Sequence, residues 1–149
     1  HSIHKDSQLY LLGDGPERLK FEKAANSHPA IHFLGYQQEP LNYVAKSHVF
    51  LLPTYHEGFS LALVEACMLE LPIIATNIGG NPEIIKDRDT GLLVKVKDSG
   101  ELYNAMVLLY DNKALRKKLA RNARNIYTDK FDFAKMIRRE FISFYKDSR

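Results

Sequence analysis

The residues that could do chemistry cluster in "HEGFSLALVEACMLE", where seven residues separate Glu57 from Glu65. The run from Ser60 to Leu69 is apolar almost all the way round, the pattern of a buried helix. Burying a carboxylate is costly unless something pairs with it. Ser60 is a good N-cap for "LALVEACML". The backbone N–H groups near Phe59, Ser60 and Leu61 are then unpaired, with the helix dipole behind them. Such a terminus attracts anions, phosphate above all. Gly58 allows close backbone approach or a positive φ. Glu65 falls about five residues into the helix, roughly 7 Å along its axis, and Glu57 on the loop side. An ionised carboxylate only accepts hydrogen bonds, which suits a vicinal diol. One glutamate for a ribose, one for a hexose, and a diphosphate on the helix terminus between them is a self-consistent arrangement. Two plainer readings stay open: Glu57 complements the helix dipole, and Glu65 pairs with a lysine.

The elements that must position these residues can be read along the chain. "QLYLLG" (8–13), "AIHFLG" (30–35), "HVFLLP" (48–53), "PIIAT" (72–76) and "TGLLVKV" (90–96) read as short buried strands. Helical patterns fall at 16–27, where Pro16 opens the helix, at 40–47 and at 60–69. A glycine-rich loop and a short helical turn follow in "NIGGNPEIIKD", then three helices near 99–110, 113–126 and 130–146. In the second of these, Leu115, Leu119 and Ala123 face inward and the basic residues outward. Strands alternating with helices predict an α/β fold: a Rossmann-like parallel sheet with helices on both faces. Ligands of such sheets bind outside the carboxyl ends of the strands. The loops expected there are 13–16, 35–38, 53–60 and 77–83.

Composition narrows the class. The 149 residues are 45% hydrophobic and 26% charged, the balance of an ordinary soluble domain. A net charge of +3 is weak support for nucleic-acid binding. Cys67 is the single cysteine, which excludes an internal disulfide and suits a reducing compartment. It reads as a buried structural thiol, and His56 as a loop histidine near the pocket. No Cys/His cluster has zinc-site spacing, and no apolar run nears a membrane span. The polar start "HSIHKDSQ" is not a signal peptide, and it resembles the tail of a preceding element.

"EGFSLALVE", with "EACMLELPIIATNIGGNPEII" after it and "LYLLGDGP" and "IHFLGY" before it, resembles the C-terminal half of a retaining GT-B-fold glycosyltransferase of the family-4 type. The resemblance covers residues 8–94 and rests on five ordered motifs. It implies that Glu57 binds donor-sugar hydroxyls and is the catalytic residue of the set. Gly58, Phe59, Ser60 and Leu61 then meet the sugar and diphosphate, and Glu65 the ribose. Tyr36 and Gln37 lie beside the nucleobase. Gly13 and Asp14 edge the pocket, although turn chemistry explains these four equally well. Gly79 and Gly80 would form a tight turn near the cleft, with Glu83 supporting the next helix. Glu70 stands where the family often has glycine, so the helix is expected to end without a glycine cap.

The family's first strand–helix unit, which carries an arginine and a lysine for the diphosphate, does not precede "LYLLGDGP". Residues 1–149 are therefore expected to be one domain, a Rossmann-like part (8–97) followed by C-terminal helices (98–149), with the N-terminal acceptor domain absent. The resemblance implies hexose transfer from a UDP- or GDP-type sugar to a glycan or lipid-linked acceptor, without cofactor or metal. It also implies a cytoplasmic setting in cell-surface polysaccharide synthesis, with peripheral association at the inner membrane face as an option. The isolated fragment is expected to be inactive. A nucleotide-binding module without catalysis and a nucleotide-sugar epimerase are the competing readings. A receiver module is disfavoured, because the third strand ends "LLPTYHEG" without an aspartate.

Overall fold

A computed structural model describes residues 6–131. The elements run β1 (Leu9–Leu12), α1 (Arg18–Ala25), β2 (Ile31–Gly35), α2 (Leu41–Val44), β3 (Phe50–Leu52), α3 (Leu61–Met68), β4 (Ile73–Thr76), α4 (Asn81–Ile84), β5 (Leu92–Val94), α5 (Ser99–Asp111) and α6 (Lys113–Ile126), then a five-residue π-helical stretch, Tyr127–Phe131. The helix expected over 130–146 lies almost wholly outside the described residues. So does its aromatic face of Phe131, Phe133, Ile137, Phe141, Phe144 and Tyr145, as do residues 1–5 of the amino-terminal stretch. The described residues divide after Tyr43 into two compact units.

In the first unit β1 and β2 pair in parallel, Leu9 opposite Ile31 and Leu11 opposite Phe33. The expectation of a buried first strand fails here. Leu9 and Tyr10 are exposed, and α1 buries no residue. Two strands under one eight-residue helix cannot enclose a core.

The second unit holds a three-stranded parallel sheet, β3-β4-β5. Its central strand β4 is buried at every position, as a strand covered on both faces must be. Strand pleating divides its side chains. Ile73 and Ala75 join a cluster with Leu63, Ala66 and Cys67 of α3, Ile84 of α4 and Ala123 of α6. Ile74 joins Leu92 and Val94 of β5 with Ala105 and Leu109 of α5 and Leu119 of α6. α6 is thus amphipathic as expected, with Leu119 and Ala123 fully buried and Leu115 packed beside them. Two of its cations have structural duties. Arg116 donates to the Leu109 and Tyr110 carbonyls at the end of α5, and Arg124 to the Met68 carbonyl at the end of α3.

α3 ends in a left-handed turn without glycine. Glu70 takes φ 55°, its N–H bonds the Cys67 carbonyl and the Leu71 N–H bonds Ala66. That is the Schellman pattern, imposed on a glutamate by the bonds it completes.

Candidate functional site

The loop between β3 and α3 carries residues 53–60, and α3 begins directly after it. Ser60 is buried in extended backbone, and its Oγ accepts the Leu63 N–H at 3.4 Å. The predicted N-cap therefore forms. Among the described residues, the N–H groups of Leu61 and Ala62 have no protein acceptor. These are the orphan donors of a helix start, with the dipole behind them.

The loop is held against its neighbour by backbone contact. Gly80 donates its N–H to the Gly58 carbonyl at 2.9 Å. A side chain at Gly80 would overlap that carbonyl. Gly79 sits at φ 54°, and a side chain there would overlap the carbonyl of Glu57. The "GG" pair is therefore a clamp on the loop that carries Glu57, as well as a turn. Below it, Thr76 Oγ1 donates to the Thr54 carbonyl at 2.8 Å, and buried Asn81 donates to the Thr76 carbonyl at 2.9 Å. Thr54, Thr76 and Asn81 are positioning residues that the sequence reading passed over. Thr54 and Thr76 show in the sequence only as polar residues closing apolar strands, and Asn81 as the first residue of the short helix after β4.

Gly58 differs from its partners. It lies outside the left-handed region, and a side chain there would meet nothing within 4 Å. A positive φ does not account for this glycine, and no close approach within the chain requires it. The space above it is open.

Glu57 and Glu65 are each half-buried. Among the described residues neither carboxylate has an ion pair or hydrogen bond. No described lysine or arginine pairs with Glu65. Phe59 and Leu61 are exposed at the helix mouth. His56 is exposed on the same loop. Cys67, fully buried two residues beyond Glu65, has its thiol pushed up to about 12 by desolvation. It is an inert packing group at neutral pH.

The first unit carries the other four predicted residues. Gly13 follows β1 at φ 109°, and its N–H bonds the Gly35 carbonyl at 2.8 Å, joining the ends of β1 and β2. Asp14 is occupied locally: it accepts the Gly15 N–H at 2.9 Å and faces Arg18 at 3.4 Å. Arg18 also binds Glu22 at 2.8 Å, and that bond raises its pKa. Gln37 folds back onto the Leu34 carbonyl at 2.7 Å, while Tyr36 stands 76% exposed. Turn chemistry thus accounts for Asp14 and Gln37 in this structure. Among the described residues no three His, Cys, Asp or Glu side chains are grouped to hold a metal ion, and no helix is long and apolar enough to cross a membrane.

Residues 2–126 match the family described as Glycosyl transferases group 1. The chain belongs to this family. Among relatives of this group 1 chain, the N-acetyl-alpha-D-glucosaminyl L-malate synthase of Bacillus anthracis is 33% identical over 89% of the chain. The UDP-Gal:alpha-D-GlcNAc-diphosphoundecaprenol alpha-1,3-galactosyltransferase of Escherichia coli is 31% identical over 92%. The chain spans 35% and 36% of those two proteins. Among solved structures, Anabaena Alr3699/HepE in complex with UDP-glucose superposes on 93% of the chain with a TM-score of 0.83 at 21% identity, over 41% of its own length. The C-terminal domain of LpcC from Francisella tularensis, a group 1 family protein, covers 80% of this chain and 66% of its own at 28% identity and a TM-score of 0.71. The architecture is the Rossmann-like α/β arrangement of GT-B glycosyltransferases.

Proposed function

We propose that this chain is the donor-binding part of a retaining glycosyltransferase that moves a hexose from a nucleotide-diphosphate sugar to a glycan or lipid-linked acceptor. One observation carries the reading: among the described residues, two half-buried carboxylates without partners stand before and within a helix whose first N–H groups have no acceptor. In this proposal Glu57 accepts hydrogen bonds from hexose hydroxyls, and Glu65 from the ribose diol. The N–H groups of Leu61 and Ala62 face the diphosphate. The open space over Gly58 lets the diphosphate approach the backbone. Phe59 lines the mouth. Binding then supplies the partners that both carboxylates lack in the free protein.

The chain is, in this reading, the donor-binding part of a longer protein that also holds the acceptor-binding part, and no metal or cofactor takes part. The setting is cell-surface polysaccharide synthesis, at the cytoplasmic side of the membrane. A relative that uses a diphosphoundecaprenol-linked acceptor supports the lipid-linked choice. Product analysis by NMR tests the reaction. The full-length protein should form product with the donor's anomeric configuration, while residues 1–149 alone should not turn over. An inverted product, or ordinary turnover by residues 1–149, contradicts the proposal.

A further inference from the structure

We propose that Tyr55 and Lys97 form a latch that sets the position of Glu57, which makes both of them positioning residues for the donor sugar. The inference rests on the function proposed above. The loop that carries Glu57 is anchored at two points. Thr54 is tied to Thr76 at one end, and Gly58 to Gly80 at the other. Between them, residues 55–57 make no backbone hydrogen bond among the described residues. Among the described residues, the contact between the Tyr55 ring and Lys97 Nζ, 5.6 Å from the ring centroid, is the one ionic, ring or hydrogen-bonded side-chain tie of this span. That distance lies within cation–π range.

The other half of the contact is rigidly mounted. Lys97 follows β5, on a turn closed by the Asp98 N–H on the Lys95 carbonyl at 3.3 Å. The turn is braced by α5: Glu101 accepts the Lys95 N–H at 2.6 Å, and Asp98 caps the helix by accepting the Glu101 N–H at 2.8 Å. Lys97 thus projects from a fixed base, across the end of β4, onto the suspended segment of the β3 loop. Its own backbone sits at φ 62°, where glycine is the easier residue. Without the lysine side chain, residues 55 and 56 and the Glu57 carboxylate beyond them would shift more freely, while the Glu57 carbonyl stays packed on Gly79 and the helix terminus and Glu65 stay in place.

The left-handed backbone makes a clean test. Lys97→Gly removes the side chain and relaxes the turn, so the variant should melt no lower than the wild type. The full-length protein would be titrated with UDP-glucose, UDP-N-acetylglucosamine and GDP-mannose, each against its free nucleoside diphosphate. The gain in affinity that the sugar confers should fall about three-fold in Lys97→Gly and in Tyr55→Ala. Affinity for the free nucleoside diphosphate should not move. Lys97→Arg and Tyr55→Phe should keep the gain, and the double variant should be no worse than either single one. An unchanged gain, an equal loss for the free nucleoside diphosphate, or additive losses would overturn the latch. If the wild type shows a sugar gain that is lost in Glu57→Gln but kept in Lys97→Gly, the latch alone is wrong. If the wild type shows no sugar gain with any of the three donors, the proposed function falls and the latch with it.

Discussion

Replacing Gly58 and Gly80 by alanine, one at a time, separates what the fold needs from what the donor needs. The two glycines face each other through one hydrogen bond, yet the structure gives them opposite surroundings. Gly80 has φ −79°, which alanine adopts freely, so only its neighbours resist a side chain. Those neighbours are backbone: the Gly58 carbonyl, with its carbon at 3.2 Å and Phe59 Cα at 3.4 Å from the new atom. Relief needs the two loops to part and their hydrogen bond to break. The bond contributes ~0.5–1.5 kcal/mol and the overpacking costs ~1–3 kcal/mol, offset by ~0.4–1 kcal/mol from the stiffer unfolded chain. Gly80→Ala should therefore destabilise by about 0.5–4 kcal/mol. Gly58→Ala meets nothing within 4 Å and should leave stability unchanged or raise it by up to ~1 kcal/mol. If the diphosphate approaches over Gly58, the same methyl group should weaken nucleotide-sugar binding about ten-fold or more. Urea denaturation and calorimetric titration on the same samples read both numbers. A destabilised Gly58→Ala, or one that binds the donor as the wild type does, would refute the reasoning.

Other consequences are as definite. Glu70→Gly should raise stability by ~1 kcal/mol in thermal melts, because glycine adopts the left-handed turn after α3 without strain. Ser60→Ala should cost ~0.5–1 kcal/mol, at the low end for a cap because its bond is long at 3.4 Å. Cys67 gives a pH signature. Its folded pKa is raised from 9.0 to about 12, so between those values the unfolded state loses a proton that the folded state keeps. Stability is then fully present below pH 9 and falls by ~1.4 kcal/mol per pH unit up to about pH 12. Cys67→Ala should lower stability at neutral pH and remove that part of the slope; an unchanged slope would contradict the assignment.

Local chemistry was the part legible from sequence. The Ser60 cap, the helix behind it and the inward face of α6 all depend on residues within one or two turns of each other, and each formed as expected. What depends on distant partners was harder to read. "QLYLLG" has the composition of a buried strand, but burial requires covering elements, and Leu9 and Tyr10 lack them. Glu70 reads as the loss of a glycine cap, yet the hydrogen bonds it completes hold it in the left-handed region. Gly79 and Gly80 read as a turn. Their grip on the backbone of Glu57 and Gly58 appears only once β3 and β4 lie side by side. The two glutamates were visible from their spacing, while the Lys97 contact two strands away leaves no trace in that motif.

The central claim is that Glu57 and Glu65 hold the two hydroxyl-bearing ends of one donor. Titrating the full-length protein with UDP and GDP sugars, and with their free nucleoside diphosphates, tests it directly. Glu65→Ala should weaken both the sugar nucleotide and the free nucleotide by about ten-fold or more, as expected for losing a charged hydrogen-bond acceptor. Glu57→Gln should weaken the sugar nucleotide alone and lower transfer with it. Normal donor binding and near-normal transfer in Glu57→Gln would contradict the account.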